Sequence, residues 1–185
     1  MNQAELDSYV LVFTGAGVSK DSGIPTFEET ANIREYLTRK FATNHPKEYA
    51  EVLKNFKAGL VDKEPNTAHY AIASLGCTVL TMNVDQLHQK AGSTNVIEMH
   101  GSFNKGLVLY GDQAPEYKTA FKKISELYYG KSYLIVVGTS LYTGVSRDII
   151  DQANRKRATI ISINSNASIE VPIVIQKLKT ELGLI

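Results

Sequence analysis

Five short runs of uninterrupted apolar character punctuate this chain: Val10 to Phe13, Thr78 to Thr81, Val96 to Met99, Leu134 to Val137 and Thr159 to Ile163. They are continuous rather than alternating, the pattern of parallel strands covered on both faces. A sixth run, Leu107 to Tyr110, fits the same reading. Helical patterns lie between them. Ile33, Leu37 and Phe41 recur every four residues, and Pro46 can open a helix striped by Tyr49, Val52, Leu53, Phe56 and Leu60. Asn66-Thr67 can cap a third helix carrying Ala68, Ile72 and Leu75. Phe121, Ile124, Leu127 and Tyr128 mark a fourth, Val145, Ile149, Ile150 and Ala153 a fifth, and Ile175, Leu178 and Leu182 a last. Strands alternating with helices predict the α/β class with a parallel sheet. Residues 28–64 hold helices and no strand, and read as a small helical insertion in a single domain spanning 1–185.

The 185 residues are 43% hydrophobic and 21% charged, enough for a packed core. The net charge of +1 and the absence of like-charge runs argue against nucleic acid as a partner. No apolar stretch approaches the length of a membrane span, and no secretory leader is visible, so a soluble cytoplasmic protein is expected. Cys77 reads as a small buried residue, since a single cysteine forms no internal disulfide. It and the four histidines form no metal-ligand pattern; His69 and His88 read as structural, His45 as a helix boundary.

In open parallel sheets ligands bind beyond the carboxyl ends of the strands. The first run is followed by Thr14-Gly15-Ala16-Gly17, the second by Met82-Asn83-Val84-Asp85 and the third by His100-Gly101-Ser102. The fourth is followed by Gly138-Thr139-Ser140 and the fifth by Asn164. Two glycines around Ala16 permit a tight turn and a close approach by a ligand, whose anion the turn and helix-start amides would face. The dinucleotide spacing is incomplete because its third glycine position is Lys20, so the turn reads either as a nucleotide loop or as a plain tight turn. His100 can accept a proton from a sugar hydroxyl near neutral pH, or be structural. Asp85 can face a carboxamide or a developing positive charge, or cap a helix. Asn83 can hold a ribose or a water, or cap the same turn. Thr139 and Ser140 can bind phosphate or cap. Together these side chains outline a polar, nucleotide-sized crevice.

The ordered segments Gly15-Ala16-Gly17-Val18-Ser19, Ser22-Gly23-Ile24-Pro25 with Phe27, and Pro65-Asn66 with His69 resemble the sirtuin family. So do Thr81, Asn83-Val84-Asp85 and Leu87-His88 with Ala91-Gly92, then His100-Gly101, Tyr110-Gly111-Asp112, Gly138-Thr139-Ser140-Leu141 and Ile163-Asn164. The resemblance runs from about Val10 to Asn164. It implies a Rossmann-like sheet and NAD as co-substrate. It places Gly15, Ala16, Gly17, Thr139 and Ser140 along the pyrophosphate and nearby ribose, with Ser19 and Gly138 in the cofactor-binding set. It places Ile24, Pro25, Phe27, Asn83 and Asp85 around nicotinamide and Asn164 at the adenosine ribose. His100 becomes the general base, with Asn83 and Asp85 beside it in the catalytic set. Leu109, Tyr110 and Gly111 become the edge on which an acylated protein or peptide lies. The implied activity is NAD-dependent removal of an acyl group from lysine, giving nicotinamide and O-acyl-ADP-ribose, with the identity of the acyl group left open by the sequence.

Three positions depart from the family pattern. The segment between His100-Gly101 and Leu107 is only Ser102 to Gly106, so the two cysteine pairs that usually bind zinc there are missing and no zinc is expected. Glu28 stands where the family carries arginine, and Met82 where it carries glutamine. Without a zinc-bearing wall the peptide groove is expected to be shallower. Two other activities therefore compete: NAD hydrolysis or ADP-ribosyl transfer in an open site, and non-enzymatic sensing of NAD or ADP-ribose.

Overall fold

A computed structural model describes residues 1–26, 29–30, 33–139 and 144–185. Strand β1 (Val10–Thr14) is buried at all five positions and lies at the centre of a five-stranded sheet with β2 (Val79–Thr81), β3 (Val96–Glu98), β6 (Tyr133–Val137) and β7 (Thr159–Ile163). The order is β3-β2-β1-β6-β7, and every pair is parallel. A short antiparallel hairpin, β4 (Gly101–Ser102) and β5 (Gly106–Leu107), follows β3. The helices are α1 (Gln3–Tyr9), α2 (Ile33–Tyr36), α3 (Arg39–Asn44), α4 (Pro46–Ala58), α5 (Thr67–Leu75), α6 (Leu87–Lys90), α7 (Glu116–Ser125), α8 (Gly144–Arg155) and α9 (Ala167–Glu181). A 3-10 helix, Ala16–Ser22, follows β1 directly.

Side-chain alternation along the central strands divides the core in two. Val10, Val12, Val79, Ile135 and Val137 pack with Ile72 and Leu75 of α5 and with Val171, Ile175 and Leu178 of α9. Leu11, Phe13, Leu80, Leu134 and Val136 point the other way, onto Ala120 and Ile124 of α7 and Ile149 and Ala153 of α8. Burying a Leu, Ile or Phe side chain is worth about 1.5–3 kcal/mol, which explains the continuous apolar runs. Local chemistry sets the helix ends. Asn66 caps α5 through its side chain, His69 returns a bond to the Asn66 amide, and Gly76 ends the helix at φ 80. Pro172 inside α9 cannot donate to the Ser168 carbonyl, and the Thr67 hydroxyl takes that carbonyl instead.

Three expectations are corrected. The four-residue recurrence of Ile33, Leu37 and Phe41 is two helices, not one: Thr38 is extended at φ −101, and its hydroxyl accepts the Phe41 N–H to begin α3. The run Leu107 to Tyr110 is no sheet strand. Leu107 belongs to the β4–β5 hairpin, and Tyr110 pairs only with Thr38. The apolar signal of that run comes from packing against the insertion, since Leu37 and Leu109 are both buried. Third, α1 lies in a segment that carries no helical reading in the sequence. Helix α1 is anchored by the buried Asp7 carboxylate, which accepts from the Thr78 backbone and hydroxyl and from Lys123. Among the described residues no helix is long and apolar enough to cross a membrane.

Candidate active site

The chain leaves β1 for β2 and β3 on one side and later crosses to β6 and β7 on the other, so the topological switch point lies where β1 and β6 end. The two turns there touch through backbone. A Cβ on Gly17 would lie 2.6 Å from the Gly138 Cα, and one on Gly138, at φ +60, would lie 2.3 Å from the Val18 nitrogen. The Gly15 N–H donates to the Val137 carbonyl at 3.0 Å, and the Gly17 N–H to the Gly138 carbonyl at 2.9 Å. These two amides therefore join the turns and do not form the anion cradle read from the glycine spacing. What the turns offer is a side-chain-free floor beside the Thr139 hydroxyl, which is buried and has no partner among the described residues. A buried orphan oxygen at the switch point fits a phosphate or ribose group that would complete it. Gly15, Gly17, Gly138 and Thr139 thus lie at this floor. Phe27, Glu28 and Ser140 fall outside the described residues.

Next to the floor, a hydrogen-bonded chain links the start of α5, the 3-10 helix and the segment after β2. The Asn66 N–H donates to His69 Nδ1 at 3.3 Å, so His69 Nε2 carries the proton and faces the Ser19 hydroxyl, also at 3.3 Å. Ser19 donates to Asp85 Oδ2 at 2.6 Å, and the Asn83 amide donates to both Ser19 and Asp85 at 3.2 and 3.3 Å. The second Asp85 oxygen accepts the Leu87 N–H, so Asp85 both caps α6 and faces the site. Burial lowers His69 to about 4, against a weaker upward pull from Asp85. A second chain lies beneath: Thr14 donates to Thr81 at 2.8 Å and so accepts from His88 Nε2 at 2.9 Å. Burial, reinforced by His69, lowers His88 to about 3. Both rings are neutral at physiological pH, and they hold Ser19, Asn83 and Asp85 in register by hydrogen bonds alone.

A cavity of about 370 Å³ opens above this network. From the expected cofactor-binding set its walls include Ala16, Ser19, Ile24, Pro25, Asn83 and Asp85. A second cavity, of about 320 Å³, contains His100 with Leu109, Tyr110 and Gly111. Phe56, Met82 and Val84 line both and form the partition between them. Asn164 is exposed beyond β7 and lines neither. Within the second cavity His100 Nδ1 donates to the Met82 carbonyl at 3.1 Å, which leaves Nε2 as the lone-pair nitrogen, facing the Tyr117 hydroxyl at 2.8 Å. Burial lowers the His100 pKa and the Met82 carbonyl partly opposes this. Glutamine at 82 would present the same carbonyl, so substitution by methionine leaves this contact intact.

The expected peptide edge is partly occupied. The Tyr110 N–H donates to the Leu37 carbonyl, and its own carbonyl accepts the Arg39 N–H. The Leu109 N–H is capped by Asp112, whose carboxylate makes two 2.7 Å bonds to Arg39. Tyr110 therefore presents its ring, 54% exposed, but not its backbone. The hairpin that joins β3 to this segment is pinned at three points: Phe103 stacks edge-on against Phe56, Asn104 donates to Gln86, and Lys105 pairs at 3.0 Å with the buried Glu98. Phe56, read only as part of a helix stripe, and Tyr117, not singled out at all, are the site residues that sequence reasoning missed. Helical periodicity assigned Phe56 to a core face, and nothing local to Tyr117 signals that it meets His100. His69, read as structural, touches Ser19, and its place three residues after the Asn66 cap was the available signal.

Residues 15–107 match the family model described as the Sir2 family. NAD-dependent protein deacylase 2 of Archaeoglobus fulgidus is 32% identical across 95% of this chain and 87% of its own. That alignment covers 223 positions, more than the 185 residues present here, so the relative carries residues with no counterpart in this chain. A NAD-dependent protein deacetylase of Bacillus anthracis is 33% identical over 71% of this chain and 72% of its own. A Sir2 homolog solved as a complex with NAD shares the fold, with a TM-score of 0.85 at 21% identity over 98% of this chain and 95% of its own. The matched span takes in the β1 turn, the helical insertion, the Asn83–Asp85 network and His100, and with that agreement between sequence, fold and site geometry the chain belongs to the Sir2 family.

Proposed function

We propose that this protein is an NAD-dependent protein-lysine deacylase. The observation that carries the reading is the pair of cavities on one partition: His100 stands in one, and Asn83, Asp85 and Ser19 in the other. A dinucleotide laid across the switch point would place its pyrophosphate on the floor of Gly15, Gly17, Gly138 and Thr139, next to Ala16. Its nicotinamide would enter the cavity walled by Ile24, Pro25, Asn83 and Asp85, and its ribose would reach the partition. NAD supplies an activated ribose from which nicotinamide leaves as a neutral base. Asp85, held by three donors, is a fixed negative group in the wall of the nicotinamide cavity, and would face the positive charge as it passes from the ring to the ribose when that bond lengthens. Asn83 orients the ribose or an attendant water. His100 receives a ribose proton at Nε2. Thr139 completes its hydroxyl on phosphate or ribose, and Asn164 stands on the adenosine side.

The His100 cavity takes the acyl chain. Its walls are Leu37, Phe56, Met82, Val84, Leu107 and Leu109, and the charged side chain on its rim is Asp112, already bound to Arg39. Among the described residues an acidic acyl group would meet a carboxylate and no free cation, so the substrate is a lysine with a neutral acyl chain, longer than acetyl. With Tyr110 backbone-paired to the insertion, the acylated chain rests on the Tyr110 ring and Gly111 rather than adding a strand at Tyr110.

The test follows nicotinamide with NAD alone, with an acylated lysine peptide, and with the same peptide unacylated. Release that requires the acylated peptide, faster for a medium-length neutral chain than for succinyl, is the expected result. Equal release without peptide replaces deacylation by NAD hydrolysis. Binding of NAD with no release under any condition leaves a sensor.

A further inference from the structure

The acceptor nitrogen of His100 already has a donor. Nδ1 is committed to the Met82 carbonyl at 3.1 Å, so the Tyr117 hydroxyl at 2.8 Å donates to Nε2. Tyr117 belongs to the first turn of α7, is half-buried, and lines the same cavity as His100. Resting on the reading of His100 as general base, we propose that Tyr117 is its positioning residue: the phenol holds the ring in the Nδ1–H tautomer with Nε2 toward the cavity, and yields its place to a ribose hydroxyl when substrate binds.

The exchange replaces one O–H···N bond by another of the same kind, so a ribose hydroxyl held in place by the rest of the dinucleotide displaces the phenol at little cost. A free water must break the same bond without that assistance. The phenol therefore keeps the base from solvent. In the transfer itself the ribose O–H bond breaks, the proton bonds to Nε2, and the electron pair stays on the ribose oxygen. Tyr117 keeps its own proton, because burial and the neighbouring Tyr110 hold the phenol above its ordinary range. The other titratable groups around this cavity are Tyr110 and Asp112, the latter engaged by Arg39. Glu98, two residues before His100, is engaged by Gln89 and Lys105.

Long-range proton–nitrogen spectra of the full chain without NAD, with the His100 signals assigned by His100→Gln, read tautomer and titration directly. The wild type is expected to show one Nδ1–H tautomer. Tyr117→Phe, which removes a single oxygen, is expected to mix the tautomers and to titrate His100 at higher pH, since a donor to the neutral ring favours the neutral form. Identical tautomer and titration in both proteins overturn the proposal. In the nicotinamide assay Tyr117→Phe raises peptide-independent release by about threefold or more and moves the acid limb of kcat/KM upward, with kcat within about twofold. A loss in kcat of about tenfold with KM unchanged overturns it, because the phenol would then act in the reaction rather than before it. The two readings fail separately: a wild type that releases no nicotinamide sinks the base role of His100, whereas unaltered spectra sink the role of Tyr117.

Discussion

His100 is held from two sides of its ring, by a carbonyl that fixes the protonated nitrogen and a phenol that occupies the other. Replacing it by alanine removes the proposed base and leaves the cavity proposed for nicotinamide intact, since His100 lines the other one. His100→Ala is expected to lower kcat/KM for deacylation by about 10²-fold or more while ADP-ribose still binds within a few-fold of wild type. Calorimetry and the nicotinamide assay together check this, and full activity in the variant removes His100 from the mechanism. Gly138 is the second residue whose identity the geometry dictates. Its left-handed φ costs an L-residue about 1–2 kcal/mol, and its Cβ would stand 2.3 Å from the Val18 nitrogen. Gly138→Ala is expected to lower stability by about 3 kcal/mol or more, read as a melting temperature reduced by roughly 5 °C or more, and to weaken NAD binding with it. A variant with unchanged melting would show that the β1 and β6 turns separate freely.

At the scale of elements, the β4–β5 hairpin closes the cleft with seven residues and three contacts. Glu98 is the buried end of the Lys105 pair, whereas Lys105 is largely in solvent, so the pair is worth less than a fully buried one. Lys105→Ala leaves the Glu98 carboxylate with Gln89 as its remaining donor. The expected cost is about 1–2 kcal/mol, together with faster proteolysis within residues 102–106 and a raised KM for the acylated peptide at unchanged NAD affinity. Protection of the hairpin equal to wild type would mean that the Phe103–Phe56 contact alone holds it. Helices α2 to α4 act on the same cleft from the other side. Leu37 and Arg39 bond the Tyr110 backbone, and Phe56 forms the partition. The insertion therefore supplies walls to the cavity proposed for the acyl chain.

For the molecule as a whole, the buried histidine pair couples the site to acid stability. In the folded state burial holds His69 at about 4 and His88 at about 3, below the ordinary value of 6.5. The unfolded chain takes up protons below 6.5 that the folded chain refuses. Stability is thus unaffected by these rings above that pH and falls as the pH drops toward 4, by about 1.4 kcal/mol per pH unit for each ring. Urea midpoints measured between about pH 7.5 and about pH 4.5 should be flat at the upper end and decline steeply below about 6. A midpoint that holds constant down to the lowest pH would show that one or both rings accept a proton without leaving the fold.

The amino-acid sequence by itself determined the α/β class, the order of the strands along the chain and the polar residues at their ends. Those depend on local causes: apolar runs such as Val10 to Phe13 have no stable place except between two layers, and Asn66 or Gly76 act on the backbone beside them. It also carried His100, Asn83 and Asp85, because their positions just after strands put them at one sheet edge in any parallel arrangement. Tertiary structure decided what depends on distance across the fold. Gly15 and Gly17 bind their amides to the β6 turn more than 120 residues away, which no spacing within the glycine motif encodes. Tyr110 loses its backbone edge to Leu37 and Arg39, and Tyr117 reaches His100 only because α7 packs across the end of β3. A side chain's local pattern records whether it is buried, whereas its partner is set by the sheet order, and sheet order is a property of the closed fold.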